Sequence, residues 1–129
     1  MRLASPEQTR AMSNSKHILG HYGETIATDF LKSIDYEILD RNWRCSIGEL
    51  DIVAKNGSTI VFVEVKTRNG RGYGHPFEAV TGDKVSRIRR LAAAWLAAKE
   101  LGSCPIRLDA ISVLVESGRV SVEHLKQVF

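Results

Sequence analysis

Alternating apolar and polar residues predict a β-hairpin near the middle of the chain. Two apolar runs rich in β-branched side chains flank Asn56-Gly57, a pair that favours the tight turn between antiparallel strands. The pattern predicts a hairpin over 48–68 with Asn56-Gly57 as its two-residue loop. In that register, Glu49 faces Glu64 across the hairpin, so two acidic residues are opposed.

The two faces of this hairpin differ in character, because side chains alternate along a strand. The first face is wholly apolar and belongs in a core: Leu50, Ile52, Ala54, Val61, Val63 and Val65. The second face has apolar residues near the turn and charged residues at the far end: Glu49, Asp51, Glu64 and Lys66. The charged end is therefore the first candidate for chemistry.

Helical periodicity predicts a first helix over about 15–34, followed by a strand over 36–42. The apolar stripe of this helix is Tyr22, Ile26, Ala27, Phe30, Leu31 and Ile34, and its polar face is Thr25, Thr28, Asp29 and Lys32. Glu24 borders the stripe, so its carboxylate either points along the seam between helix and sheet or simply caps the helix edge. Gly20 and Gly23 would allow close backbone approach beside it.

The chain after the hairpin predicts a loop, a second helix and two more strands. Residues 67–76 contain three glycines and form either an ordinary connection or a loop that contacts a substrate. The second helix is expected from about Thr81 or Asp83, either of which can cap it, to Leu101. Its apolar stripe is Val85, Ile88, Leu91, Ala92, Trp95 and Leu96. Strands are expected over 106–115 and 120–125.

This order of elements is typical of an α/β protein. Because the sheet needs cover on both faces, we expect a three-layer α/β/α domain with a central mixed sheet and the second helix as a crossover. A length of 129 residues suits one domain, which is predicted over 14–129. Residues 1–13 lack a sustained pattern and are predicted to form a mobile arm or a short extra helix.

Composition limits the class of protein without identifying it. A formal net charge of +3 is compatible with a polyanionic partner but does not demand one. The two cysteines, Cys45 and Cys104, suit neither a zinc motif nor a disulfide framework, so a cytoplasmic location is expected. No apolar run is long enough to span a membrane and no secretory signal is visible, so no membrane association is expected.

The acidic end of the hairpin is costly without a counter-charge. Two carboxylates about 4 Å apart repel by about 4 kcal/mol at an effective dielectric constant of about 20. Mg²⁺ or Mn²⁺ would turn this repulsion into coordination, with Asp51, Glu64 and the Val65 carbonyl as candidate ligands. Lys66 could then orient a water or neutralise a phosphorane, and Glu24 could hold a second ion or a metal-bound water. The alternative is a solvated charged face in which Lys66 neutralises Glu64.

Basic residues surround this end of the hairpin. Arg41 and Arg44 flank Trp43, and such a run can grip phosphate and stack on a base, or can place the tryptophan in the core. Arg68 and Arg71 lie in the glycine-rich segment and are further candidates for nucleic-acid contact.

Two more charged residues lie in the second half of the chain. Lys84 falls on the apolar side of the second helix, where it either reaches the nucleic acid or extends its ammonium to solvent. Asp109 is a lone acid in its strand, and we expect it to pair with Arg107 or another base in a structural role.

A wider set of motifs resembles a known family. Asp51 is followed thirteen residues later by Glu64-Val65-Lys66, which matches the Asp…(Asp/Glu)-x-Lys signature of restriction-endonuclease-like nucleases. Over about 17–115 the chain resembles the bacterial YraN-like family of uncharacterised proteins, which is similar to archaeal Holliday junction resolvases. The motifs are Gly20-x-x-Gly23-Glu24, Arg41-Asn42, Gly48 to Ala54, Val61 to Arg68, Gly74-x-Pro76-x-Glu78-Ala79-Val80, Lys84 and Arg107-Leu108-Asp109.

The resemblance implies a restriction-endonuclease-like fold, a divalent metal and structured or branched DNA as substrate. Carried onto this chain, it implies metal and catalytic roles for Glu24, Asp51, Glu64 and Lys66, with Lys84 in support. The first hypothesis is an endonuclease, expected to be a homodimer because cutting two strands symmetrically needs two active sites. The second is a non-catalytic nucleic-acid-binding module with the same fold, and a third is action on RNA. Glu49 is either a neighbour of the metal or the solvated start of its strand.

Overall fold

The computed structural model describes residues 6–70 and 82–128, with side chains from Ile18 onward in the first range. Two helices and five strands make up these residues. They are α1 (Pro6–Ser33), β1 (Glu37–Cys45), β2 (Gly48–Asn56), β3 (Thr59–Asn69), α2 (Gly82–Ala98), β4 (Ile106–Glu116) and β5 (Arg119–Leu125). The predicted order of elements is confirmed.

The strands form one mixed sheet in the order β1-β2-β3-β4-β5. Antiparallel pairing joins β1 to β2, β2 to β3 and β4 to β5, whereas β3 and β4 are parallel. Parallel neighbours need a long connection, and α2 lies in the connection between β3 and β4. The predicted α/β class, with a mixed sheet and α2 in the crossover, is therefore confirmed.

The register of the β2–β3 hairpin differs from the prediction by two residues. Asn56 pairs with Thr59, so Gly57-Ser58 is the loop, and Ile52 pairs with Val63. Gly57 has a φ of 62°, which suits the type II′ turn, a turn that requires glycine-like φ only at its first central position. Because the shift is an even number of residues, it keeps the predicted face of each side chain.

Apolar side chains form two clusters on the sheet. The α1 cluster contains Ala27, Leu31, Tyr36, Ile52, Ala54, Val61, Val63, Ile111 and Val113. The α2 cluster contains Leu50, Val53, Ile60, Phe62, Ile88, Leu91, Ala92, Trp95 and Leu108. Successive strand residues, such as Ile52 and Val53, divide between the clusters because their side chains alternate. Both helices therefore bury their apolar stripes on the sheet.

The predicted alternation fails at one place in β2. Leu50 was expected on the same face as Ile52, but it packs in the α2 cluster. Asn42, in the neighbouring strand, has a φ of 51°, and the residues on either side of it pair with Leu50 and Ile52. Trp43, opposite Leu50, packs against the α2 cluster, whereas Arg41, opposite Ile52, bonds to α1. The left-handed conformation at Asn42 thus accompanies a change of face in both strands.

The bounds of several elements differ from the predicted ones. Helix α1 begins at Pro6 rather than near residue 15, and β1 continues to Cys45. Helix α1 ends at Ser33 because Asp35 adopts a φ of 66°, and the Tyr36 N–H then bonds to the Leu31 carbonyl. Helix α2 ends at Ala98, before the predicted end at residue 101. Glu100, just after it, has a φ of 56°.

Three side chains in or just after α1 lie on a different side from the one predicted. Tyr22 and Ile34 were expected in the core, but 48% and 38% of their surface is exposed. Thr28 was expected in solvent, but it is buried and its hydroxyl donates a hydrogen bond to the Glu24 carbonyl at 2.8 Å. The buried stripe of α1 is thus narrower than predicted, which leaves Tyr22 available at the surface.

Asp109 is the centre of a buried polar network, and its predicted pairing with Arg107 is confirmed. Arg107 donates to both carboxylate oxygens, from Nε at 2.8 Å and from Nη2 at 2.9 Å. The His124 Nε2 lies 2.8 Å from Oδ2, and the Gln127 backbone N–H donates to Oδ1 at 3.0 Å. Arg107 also donates to the Tyr36 hydroxyl at 2.6 Å. This carboxylate therefore ties β4 to β5, to the C-terminal residues and to the end of α1.

Some predictions fall outside the described residues. They concern residues 1–5, most of the glycine-rich segment, Arg71 and Thr81. The boundary between the predicted arm and the predicted domain therefore stays a prediction. Neither described helix combines the length and the apolar character that a membrane crossing would require.

Candidate metal centre

Three carboxylates from two elements meet at one point on the sheet. Glu24 comes from α1, and Glu49 and Asp51 come from β2. One oxygen of each carboxylate lies within 4.8 Å of those of the other two. This acidic triad, Glu24, Glu49 and Asp51, joins two predicted site residues with the acid whose role the sequence left open.

Close packing of α1 on β3 brings Glu24 to this position. A Cβ atom built on Gly23 would overlap the Thr67 side chain, with the Thr67 Cβ and Cγ2 only 2.7 Å away. No described residue lies within 4 Å of a Cβ atom built on Gly20. The predicted close approach is therefore confirmed at Gly23 and is absent at Gly20.

Substituting the two glycines separately tests this packing. We expect Gly23→Ala to lower the free energy of unfolding by about 1–3 kcal/mol, because the methyl group forces the helix away from Thr67. Gly20→Ala should instead raise it by about 0.5–1 kcal/mol, since alanine favours the helix and meets no neighbour. Urea unfolding of both variants measures the difference. Equal effects would show that the approach of α1 to β3 does not depend on Gly23.

Asp51 is held in place by β3. The Val65 backbone N–H donates to its Oδ2 at 2.8 Å. Burial raises the pKa of Asp51 to about 7, although the hydrogen bond from Val65 acts to lower it. The negative charges of Glu64, Glu24 and Glu49 also act to raise this pKa, and the value of about 7 includes their effect. Without a cation, the carboxyl is therefore only partly ionised near neutral pH.

Glu24 also has an unfavourable environment for its charge. Burial raises its pKa, and the charge of Glu49 acts in the same direction. A hydrogen bond with the Asn42 side chain and the charges of Arg41 and His21 oppose this shift only in part. The left-handed residue of β1 thus contributes directly to the site, a role that the sequence analysis did not assign to it.

Glu64 lies near the acidic triad without belonging to it. Its charge acts on Asp51, but its Oε1 forms an ion pair with the Lys84 Nζ at 3.0 Å. Lys84 thus reaches the site from α2 rather than extending to solvent. Lys66, two residues after Glu64 on β3, is exposed and pairs with Ser112 of β4. The structure places all of the predicted catalytic residues on α1, β2 and β3 around one end of the hairpin.

The basic residues that flank the site have different environments. Arg41 donates to the Thr25 hydroxyl at 3.3 Å, and its Nε is buried without a hydrogen-bond partner among the described residues. Arg44 pairs with Glu49 at 2.9 Å, while 78% of its side chain is exposed. Trp43 lies between them and packs against the α2 cluster, so the core alternative is correct for this tryptophan. Arg68 is half-buried on β3.

The donor set of the acidic triad fits a divalent cation. Three carboxylate oxygens, one from each residue, converge, and oxygen is the donor that Mg²⁺ and Mn²⁺ prefer. The raised pKa of Asp51 reflects its burial first and the neighbouring carboxylates second, and a bound cation would offset both effects. Glu24, Glu49 and Asp51 would hold it, while Glu64 is paired with Lys84.

Sequence comparison defines the family of the chain. The profile of an uncharacterised protein family, UPF0102, matches residues 23–113. A UPF0102 protein from Beutenbergia cavernae is 49% identical over 115 residues, covering 88% of this chain and 98% of the relative. One from Nocardia farcinica is 50% identical over 120 residues, covering 92% and 94%. The chain therefore belongs to the UPF0102 family, which confirms the YraN-like membership expected from the motifs.

Proposed function

We propose that this protein is a Mg²⁺- or Mn²⁺-dependent endonuclease that hydrolyses phosphodiester bonds in structured or branched DNA. The observation that carries the proposal is the convergence of Glu24, Glu49 and Asp51, with the charge of Glu64 acting on Asp51. Carboxylates whose pKa values are raised in this way mark functional sites more often than structural ones. A metal-assisted phosphodiesterase uses this set of groups.

The proposal includes a three-layer, restriction-endonuclease-like fold. Alternate residues of β2 and β3 belong to the α1 cluster and to the α2 cluster. This division is expected for a sheet that is covered on both faces. Asp51 and Glu64-Val65-Lys66 stand on neighbouring strands, as in the nuclease signature. Similarity to archaeal Holliday junction resolvases is part of the same proposal.

Each side chain has a defined task in this reaction. A bound divalent ion would polarise the scissile phosphate and lower the pKa of a water molecule. Asp51, fixed by the Val65 N–H, would anchor the ion with Glu24 and Glu49, and the Val65 carbonyl is a further candidate ligand. The Lys66 ammonium would neutralise the charge that develops on the phosphorane.

The surrounding basic residues would bind the phosphate backbone. Arg41, Arg44, Arg68 and Arg71 are the proposed contacts, and Lys84 would turn to DNA once Glu64 is released. A cytoplasmic homodimer acting on DNA is the proposed working form, with RNA as an alternative substrate.

The Glu64–Lys84 ion pair favours a second candidate function. If Lys84 keeps Glu64 occupied, the protein would be a non-catalytic nucleic-acid-binding module with the same fold. Its binding to structured strands would still weaken with salt.

A panel of labelled DNA and RNA structures tests the two functions. Wild-type protein with Mn²⁺ should cut a junction or a flap, and Lys66→Ala should cut it about 10²-fold more slowly while binding equally well. Lys55→Ala is the matched control, since Lys55 is an exposed lysine near the turn of the same hairpin. Salt-dependent binding of wild-type protein without any cleavage would favour the binding module.

A further inference from the structure

An exposed apolar hollow lies on α1 beside the acidic triad. Ile18, His21, Tyr22 and Thr25 line it, and its volume is about 460 Å³. The side chains of Ile18 and Tyr22 expose 69% and 48% of their surface, an unusual arrangement for two large hydrophobic residues one helical turn apart. Neither apolar cluster of the described residues includes them, so a ligand can reach their exposed surface.

The wall of the hollow includes residues that interact with the surroundings of Glu24 in the proposed metal site. Thr25 forms its wall and accepts a hydrogen bond from Arg41, whose charge also acts on Glu24. His21, another wall residue, stands one helical turn before Glu24 and acts on the same carboxylate. A molecule in the hollow would therefore lie next to anything bound at the triad.

The chemistry of this hollow matches a nucleobase better than a purely apolar ligand. Tyr22 offers an aromatic face on which a base of any identity can stack. Arg41 supplies positive charge beside Glu24 of the triad, where the phosphate of the same nucleotide would lie. Trp43, the other aromatic candidate, is partly buried and packs against the α2 cluster instead.

We propose that the hollow of Ile18, His21, Tyr22 and Thr25 seats one unstacked base of the strand whose phosphate is bound at the acidic triad. The inference rests on the proposed nuclease function and specifies its substrate. Stacking on Tyr22 requires a base that has left the duplex, so flaps, the branch points of junctions and loops are substrates and continuous duplex is not.

Fluorescence of 2-aminopurine tests base stacking independently of cleavage. A short single strand carrying 2-aminopurine, as DNA or as RNA, is titrated with protein in Ca²⁺. Wild-type protein should quench the emission, and Tyr22→Ala should lose the quenching and bind about tenfold more weakly. Tyr22→Phe keeps an aromatic face and should behave as wild type. Val120→Ala, an exposed apolar residue on β5, is the control and should have no effect.

The outcomes separate this inference from the nuclease proposal. If wild-type protein cuts branched DNA but neither quenches the probe nor depends on Tyr22, the base site is wrong and the nuclease proposal stands. If it neither binds nor cuts any strand, both fail. If Tyr22→Ala converts a dimer to a monomer in sedimentation while quenching is unchanged, the hollow contacts a second copy of the chain and the base site is wrong.

Discussion

Metal-free protein should lose stability as the pH rises from about 4 to about 7. The folded state keeps a proton on Asp51, whose pKa is about 7, whereas the unfolded chain releases it near pH 4. The stabilisation that protonated Asp51 contributes is therefore fully present at low pH, and it is lost as the pH rises through the pKa of Asp51 in the folded protein. The expected loss is roughly 3 kcal/mol, measured by urea unfolding in a chelator across this range.

The Asp51→Asn variant isolates the effect of this group. Its amide cannot ionise, but its oxygen can still accept the hydrogen bond from Val65. We expect this variant to lose most of the pH dependence, with the rest due to Glu24, whose pKa is also raised, and to be more stable than wild type at about pH 8 without metal. Asp29→Asn, at an exposed position on α1, should follow wild type. A wild-type curve that stays flat, or an equal slope in Asp51→Asn, would contradict the account.

Replacing Asp109 with alanine should be the most destabilising single change outside the site. The carboxylate is fully buried, and burial acts to raise its pKa, but the bonds from His124, Arg107 and Gln127 hold it down to about 2. Its removal leaves a largely buried guanidinium without its partner, at a cost of about 3–5 kcal/mol. A domain of this size has only about 5–15 kcal/mol in total.

Urea unfolding at neutral pH measures the cost of Asp109→Ala. Asp29→Ala, which removes an exposed carboxylate, should change stability by less than about 0.5 kcal/mol. Because the pKa of Asp109 is lowered, its contribution is present above about pH 4 and is lost as the pH falls toward 2. A cost below about 1 kcal/mol at neutral pH would show that the network does not stabilise the fold.

The core of this protein could be read from residue periodicity. Alternation in 48–68 separated the residues of the two clusters except at Leu50, and helical spacing identified Leu31, Leu91 and Trp95 as buried. These predictions succeeded because burial depends mainly on which face a side chain occupies, and the period of the element fixes that face.

Local backbone geometry was the part that periodicity could not supply. The hairpin register depended on whether Asn56 or Gly57 begins the turn, and both are common turn residues. The change of face beside Asn42 depended on one positive φ, which asparagine tolerates but does not require. Both details affect which acids meet.

The candidate site was predicted in its composition but not in its pairing. The sequence selected Glu24, Asp51, Glu64 and Lys66, and the structure groups Glu24 and Asp51 with Glu49. Side chains from α1 and α2 decided this outcome, since the ion pair of Glu64 with Lys84 involves residues twenty positions apart. Long-range contacts of this kind leave no local pattern in the sequence, and the roles of these residues stay predictions.

Calorimetric titration with Mn²⁺ shows whether the acidic triad binds a divalent cation. At about pH 7, wild-type protein should bind Mn²⁺ and release part of a proton, since binding requires the ionised Asp51. The released proton is measured by repeating the titration in buffers of different ionisation enthalpy. Asp51→Asn should bind at least about tenfold more weakly and release no proton. Equal Mn²⁺ affinity in the two proteins would contradict the metal assignment.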